Sequence, residues 1–227
     1  MQFFLLLFLI ALTGTLWGRS RFLKIYGQEA GNHLSSGITG AAFAEAILKR
    51  SGLGGVGIVK GRGILPDFYD PEHRRISLAP QHFGATTYSA LALAALQAGK
   101  AIQHAAGHRP LLWRVAAVRA SVFLSPCLLF LGIVTLALGM TKTVFPLVIL
   151  TWSIIAFWNL ITVPTEVDAG IRAKRVLDEM GVFRNLDERI GVEKVIGAAS
   201  TAQIDGLSLV SSWIAQTFLP KSGGKGG

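Results

Sequence analysis

The chain has 227 residues, of which 51% are hydrophobic and 15% charged, with a net charge of +9 and a mean hydropathy of +0.50. A soluble domain carries about 25% charged residues, so this composition excludes intrinsic disorder and argues for a membrane protein. The single Cys127 excludes an internal disulfide framework and a multi-thiolate zinc site.

In chain order, Met1 to Trp17 carries no charged side chain and is followed at once by Arg19, Arg21 and Lys24. A cleavable signal peptide has the opposite charge order, so residues 1–18 read as a retained transmembrane anchor. Residues 19–119 then read as a compact soluble unit. Thr39 is placed to cap a helix that runs through AAFAEAILKR and ends near Ser51-Gly52. Val56 to Val59 reads as a strand, and Ile64 to Tyr69 with Arg75 to Leu78 as a hairpin around Asp70-Pro71-Glu72-His73. The Ala- and Leu-rich stretch from Ala85 to Ala106 has helical periodicity and is closed by Gly107 and Pro110.

Two uncharged runs of 20 residues, Ser121 to Met140 and Val144 to Val163, are each long enough to cross a hydrocarbon core of about 30 Å as a helix. They make residues 120–163 a transmembrane hairpin, and 164–195 a second soluble, helical segment. Ile196 to Leu219 is a more polar apolar run containing Asp205, whose insertion costs about 2.5–3.5 kcal/mol at a helix centre. A fourth span is favoured there, and a helix lying in the membrane interface is the alternative. Residues 220–227 form a Gly-rich, flexible tail.

Lys and Arg are concentrated in residues 18–120 and 164–195, with Lys142 alone in the intervening turn. By the positive-inside rule both segments lie in the cytoplasm. The same topology accounts for the basic charge without a nucleic-acid partner. The expected fold is an α-helical, multi-pass protein of the bacterial inner (plasma) membrane, with about four transmembrane helices and a small α+β zincin-like cytoplasmic domain.

Four motifs, in order, carry a resemblance. GITGAAFAEAILKRSGL, LPDFYDPEHRRISLAP, LAALQAGKAIQH and VPTEVDAGIRA resemble successive segments of the neutral zinc metallopeptidases of bacterial membranes, the YugP-type family. That family's chemistry depends on H-E-x-x-H: two His side chains one helical turn apart hold zinc, and the Glu between them polarises the metal-bound water. The resemblance places the first His on Leu96, the Glu on Gln97, the second His on Lys100 and the third ligand, a Glu, on Glu166, with the family's Asp present as Asp168. Phe68 stands where the family has a His in its D-H-Y-D-P hairpin.

Leu96 has no donor atom, Gln97 is no base, and Lys100 is a cation at neutral pH. Zinc, the family's cofactor, is therefore expected to be absent, leaving no catalytic residues and only relic positions. Zinc with a ligand carboxylate and a base carboxylate sums to zero charge; Lys100, Glu166 and Gln97 also sum to zero. This arithmetic predicts a structural ion pair of Lys100 with Glu166 or Asp168, against the alternative that Lys100 snorkels to solvent. A displaced metal site at His104, His108 and Glu166 has the right i, i+4 spacing for its histidines, but Ala105 stands where the base belongs. A Ser–Lys dyad of Lys100 with Ser89 or another Ser is a further alternative.

The expected function is that of a catalytically inactive homologue acting as a binding, scaffold or assembly subunit of a membrane complex. Its expected partners are membrane lipids and other membrane protein subunits, an active paralogue or a second copy of itself. The alternative is an active membrane-bound hydrolase with residual or rerouted chemistry.

Overall fold

The computed structural model describes residues 2–61, 67–140, 142 and 144–202. Ten elements follow in order: α1 (Gln2–Glu29), α2 (Gly40–Arg50), β1 (Gly57–Lys60), β2 (Phe68–Asp70), β3 (Arg75–Leu78), α3 (Pro80–Phe83), α4 (Tyr88–Ala105), α5 (Pro110–Ala137), α6 (Phe145–Met180) and α7 (Leu186–Ala202). The chain divides into two compact units. Residues 1–16, 116–160 and 204–227 make one, and residues 17–115 and 161–203 the other.

The second unit holds the soluble-type core. Thr39 caps α2 by accepting from Ala42 N, and Thr87 caps α4 by accepting from Ala90 N, each satisfying an orphan donor of the first turn. The sheet has order β1-β3-β2, with β1 parallel and β2 antiparallel to β3. Asp70 Oδ1 accepts from Glu72 N at 3.1 Å and His73 N at 3.4 Å, which folds the β2–β3 turn locally. Arg74, at φ 47°, completes it in the left-handed region.

α4 is the central element. Ala92, Ala94, Ala95, Ala98 and Ala101 are buried against Phe43, Ile47, Ile76, Leu177 and Val195. Small side chains here let neighbouring helices approach closely. Gly99 is the extreme case: a Cβ at this position would collide with the Ala169 carbonyl of α6.

The four-span expectation is corrected by the structure. Among the described residues one helix, Pro110–Ala137, is long and apolar enough to cross a membrane. In α6 the described apolar stretch is Pro146–Ile155, well short of the roughly 20 residues a span needs. The expected fourth span is described only in its first part. Its first part belongs to α7, where Ile196, Ala198 and Ala199 are buried in the core of the second unit, so they do not need lipid. Residues 203–219 of that segment, Asp205 included, lie outside the described residues, as do Ile64 to Pro66 of the predicted hairpin. The sequence boundaries at 119/120 and 163/164 also fall inside continuous helices, α5 and α6.

α5 is built for an apolar medium over most of its length. Phe123 and Phe130 are 73% and 70% exposed. Ser121, Cys127 and Thr135 donate to carbonyls of their own helix, the arrangement that hides polar groups from lipid.

Gly99→Ala should destabilise the second unit by about 1–3 kcal/mol or more, the usual cost of overpacking a tight core. The measurement is denaturant or thermal unfolding of the detergent-solubilised chain.

Candidate functional site: a buried carboxylate between two cations

On α4 the side chains at i, i+3, i+4 and i+7 share one face. From Leu96 these are Gly99, Lys100 and Gln103, and all four meet α6. Leu96 packs with Leu93, Ala169 and Ala199. Lys100 Nζ lies 2.9 Å from Glu166 Oε2. Gln103 Nε2 donates to the Thr165 carbonyl at 2.8 Å and to Asp168 Oδ2 at 2.7 Å.

Glu166 has a second cation. Arg114 of α5 donates from Nε to Glu166 Oε1 at 2.9 Å, and its Nη1 lies 3.5 Å from Thr162 Oγ1. Glu166 and Arg114 are each only 1% exposed, and Lys100 8%. Burial opposes ionisation of Glu166, but the Lys100 ammonium and the Arg114 guanidinium outweigh it and hold the carboxyl below its usual range. The charge sum of the three groups is +1, not the zero that Lys100, Glu166 and Gln97 give. Arg114 is not legible in the sequence as a partner of Glu166, because a cation close to an apolar run serves equally as a topology signal. The available signal was its spacing: Arg114 shares a helix face with Leu111 and Val115, and all three are buried.

Asp168 is engaged elsewhere. It accepts from Arg172 Nε at 2.6 Å and from Gln103; partial burial opposes its ionisation, but those bonds prevail and lower its pKa. Gln97 is fully buried, and among the described residues neither its Oε1 nor its Nε2 has a hydrogen-bond partner. An amide so placed costs about 1–3 kcal/mol in lost hydration.

The other candidates are separated. His104 Nδ1 is 2.8 Å from the Tyr69 hydroxyl, while Glu166 is held by Lys100 and Arg114. Among the described residues the one cluster with metal-ligand spacing is instead Asp70, Glu72 and His73, where His73 Nδ1 lies 2.7 Å from Asp70 Oδ2. Ser89 donates to the Tyr26 carbonyl at 2.8 Å. Eleven residues along α4 separate Ser89 from Lys100, about 16 Å at helical rise, so the two cannot form a dyad.

The sequence also gave no sign of a buried chain linking α1, the β2 hairpin and α3. His82 Nε2 lies 2.7 Å from the Tyr26 hydroxyl, and His82 Nδ1 lies 2.7 Å from Asp67 Oδ2. Asp67 Oδ1 accepts from Ala79 N at 3.0 Å. These residues come from three separate segments with no regular spacing, so only the tertiary fold brings them together.

Residues 2–209 match the sequence family described as "Putative neutral zinc metallopeptidase". The chain belongs to this family. It is also 33% identical, over 203 residues covering 88% of each chain, to the "Putative membrane protease YugP" of Bacillus subtilis (strain 168). No solved structure matches.

The positions onto which the family resemblance places the zinc ligands and the base are Leu96, Gln97, Lys100 and Glu166, and these side chains do not fit a zinc ion. Leu96 presents only carbon. Lys100 places a positive charge 2.9 Å from the one carboxylate of the set, and Arg114 places another at the same distance. A dication entering here would meet two cations and a single carboxylate, with one neutral amide beside it.

Glu166→Gln removes the counter-charge of two buried cations at once and should cost about 3–5 kcal/mol. Lys100→Met leaves Glu166 paired with Arg114 and should cost less. Combining Lys100→Met with Glu166→Gln should recover only part of the Glu166→Gln loss, because Arg114 remains. Unfolding titrations of the three variants give the order. The pH dependence has a fixed sign. The folded pKa of Glu166 is lowered, so its stabilisation is present above the ordinary carboxylate range, near pH 4. It is lost as pH falls through the lowered value, and Glu166→Gln should flatten that acid limb.

Proposed function

We propose that this protein is a non-catalytic member of its metallopeptidase family, acting as a binding or assembly subunit in a membrane. The observation that carries the reading is the double ion pair: Lys100 and Arg114 both engage Glu166, the position of the family's third ligand. Gln97 adds to it, because a neutral amide cannot take a proton from water as the family's Glu does.

Membrane association is supported by α5, by the apolar residues it exposes and by a relative whose name is that of a membrane protease. The excess of Lys and Arg in residues 18–120 favours the cytoplasmic face for the site. The partners this reading implies are lipids and other membrane proteins, an active paralogue or a second copy of the chain among them. Association would preserve the scaffold after the loss of chemistry, since the residues that replaced the ligands stabilise α4 against α6.

The full chain, purified in mild detergent, tests the reading in two assays on one sample. Elemental analysis should find far less than one zinc per chain after dialysis, and no hydrolysis of casein or of quenched-fluorescence peptides should occur with zinc added. About one tightly held zinc per chain, or hydrolysis abolished by a chelator, would return the protein to the peptidases.

A further inference from the structure

We propose that two exposed basic–aromatic faces, one on the second half of α1 and one at the start of α5, bind the headgroups of anionic phospholipids. The inference rests on the membrane-associated reading above and adds the class of lipid. On α1, Trp17, Arg21 and Lys24 follow the spacing i, i+4, i+7, and all three are exposed. The Arg21 guanidinium lies 5.9 Å from the Trp17 ring centroid, a cation–π arrangement that keeps both groups outward. The opposite side of the same helix is committed to the protein: Gly18 and Ile25 are buried, and Phe22 and Tyr26 half-buried.

The start of α5 has the same division. Arg109, just before the helix, and Leu112 and Trp113 within it are exposed, whereas Leu111, Arg114 and Val115 are buried. Trp17 and Trp113 are 66% and 67% exposed. Indole rings displayed this fully beside cations suit the polar–apolar boundary of a bilayer, where the ring meets acyl chains and the N–H meets headgroups. Trp113 also stands in the first turn of Pro110–Ala137, the helix apolar enough to cross, about two turns before its uncharged run begins at Ser121, and so on the polar side of that run.

Charge selects the lipid class. No Asp or Glu precedes Glu29, and none lies between Glu72 and Glu166. Arg21, Lys24 and Arg109 take part in no ion pair among the described residues. Elsewhere in the same unit Lys49, Arg172, Lys174, Arg189 and Lys194 each meet a carboxylate. Exposed cations without ion-pair partners attract a net negative surface, which a zwitterionic headgroup does not provide.

The test uses the full chain reconstituted in phosphatidylcholine vesicles containing phosphatidylglycerol, with brominated acyl chains on one lipid or the other as tryptophan quenchers. Brominated phosphatidylglycerol should be preferred over brominated phosphatidylcholine by at least about fivefold at low salt, and the preference should shrink as salt rises. Combining Arg21→Gln, Lys24→Gln and Arg109→Gln should remove it with the melting temperature unchanged, since all three side chains are exposed. Trp17→Phe with Trp113→Phe should remove the selective part of the quenching. Equal quenching of the unaltered chain by both lipids, or a preference unchanged in the charge variant, would overturn the proposal. So would tryptophans shielded from both lipids by a co-purifying protein, which would make these faces a protein-docking surface. Release of the chain from the vesicles by alkaline carbonate would instead overturn membrane association itself.

Discussion

A carboxylate with almost no contact with water sets the conditions for the rest of this structure. Glu166 can remain ionised there only because Lys100 from α4 and Arg114 from α5 reach its two oxygens. An isolated buried carboxylate would take up a proton rather than bear the cost of desolvation. The three helices are thus tied at one point by charge, and the small residues of α4 are what allow them to come so close. Gly99, next to Lys100, sits beneath the Ala169 carbonyl, and Leu96, one turn before Lys100, packs against Ala169. Packing and electrostatics impose the same helix arrangement.

Under the proposed reading, the residues at the positions that the resemblance assigns to the family's chemistry follow different physical rules. Leu96 exchanges a metal donor for apolar packing and gains the ordinary stabilisation of a buried side chain. Lys100 supplies positive charge where the family would hold a metal, and so protects the carboxylate that remains. Gln97 obeys neither rule. It is buried without a partner on either amide atom among the described residues, so the described core leaves this polar group unsatisfied. A core optimised for stability alone would place a hydrocarbon at this position.

A second polar chain, Tyr26–His82–Asp67, anchors α1 to the α3 segment. Asp67 accepts from His82 Nδ1, which leaves Nε2 to accept from the Tyr26 hydroxyl. Burial, and the charge of Asp67, hold the Tyr26 phenol above its ordinary pKa and keep it protonated as the donor. The chain fixes which side of α1 faces inward, and hence which side carries Trp17, Arg21 and Lys24.

The sequence by itself determined the local elements and the chemical character of the site. Thr39 and Thr87 are capping residues at helix starts, Asp70 folds a tight turn, and Leu96, Gln97 and Lys100 lack zinc chemistry wherever they are placed, because these properties belong to single residues or short spacings. The number of membrane helices was not determined in this way. An apolar run reads alike whether lipid or a protein core will cover it, and α7 shows the core covering Ile196, Ala198 and Ala199. Arg114 as the second partner of Glu166, and His82 between Asp67 and Tyr26, were also decided only by tertiary structure. Each joins residues from separate elements, and helix packing alone sets the distance between them.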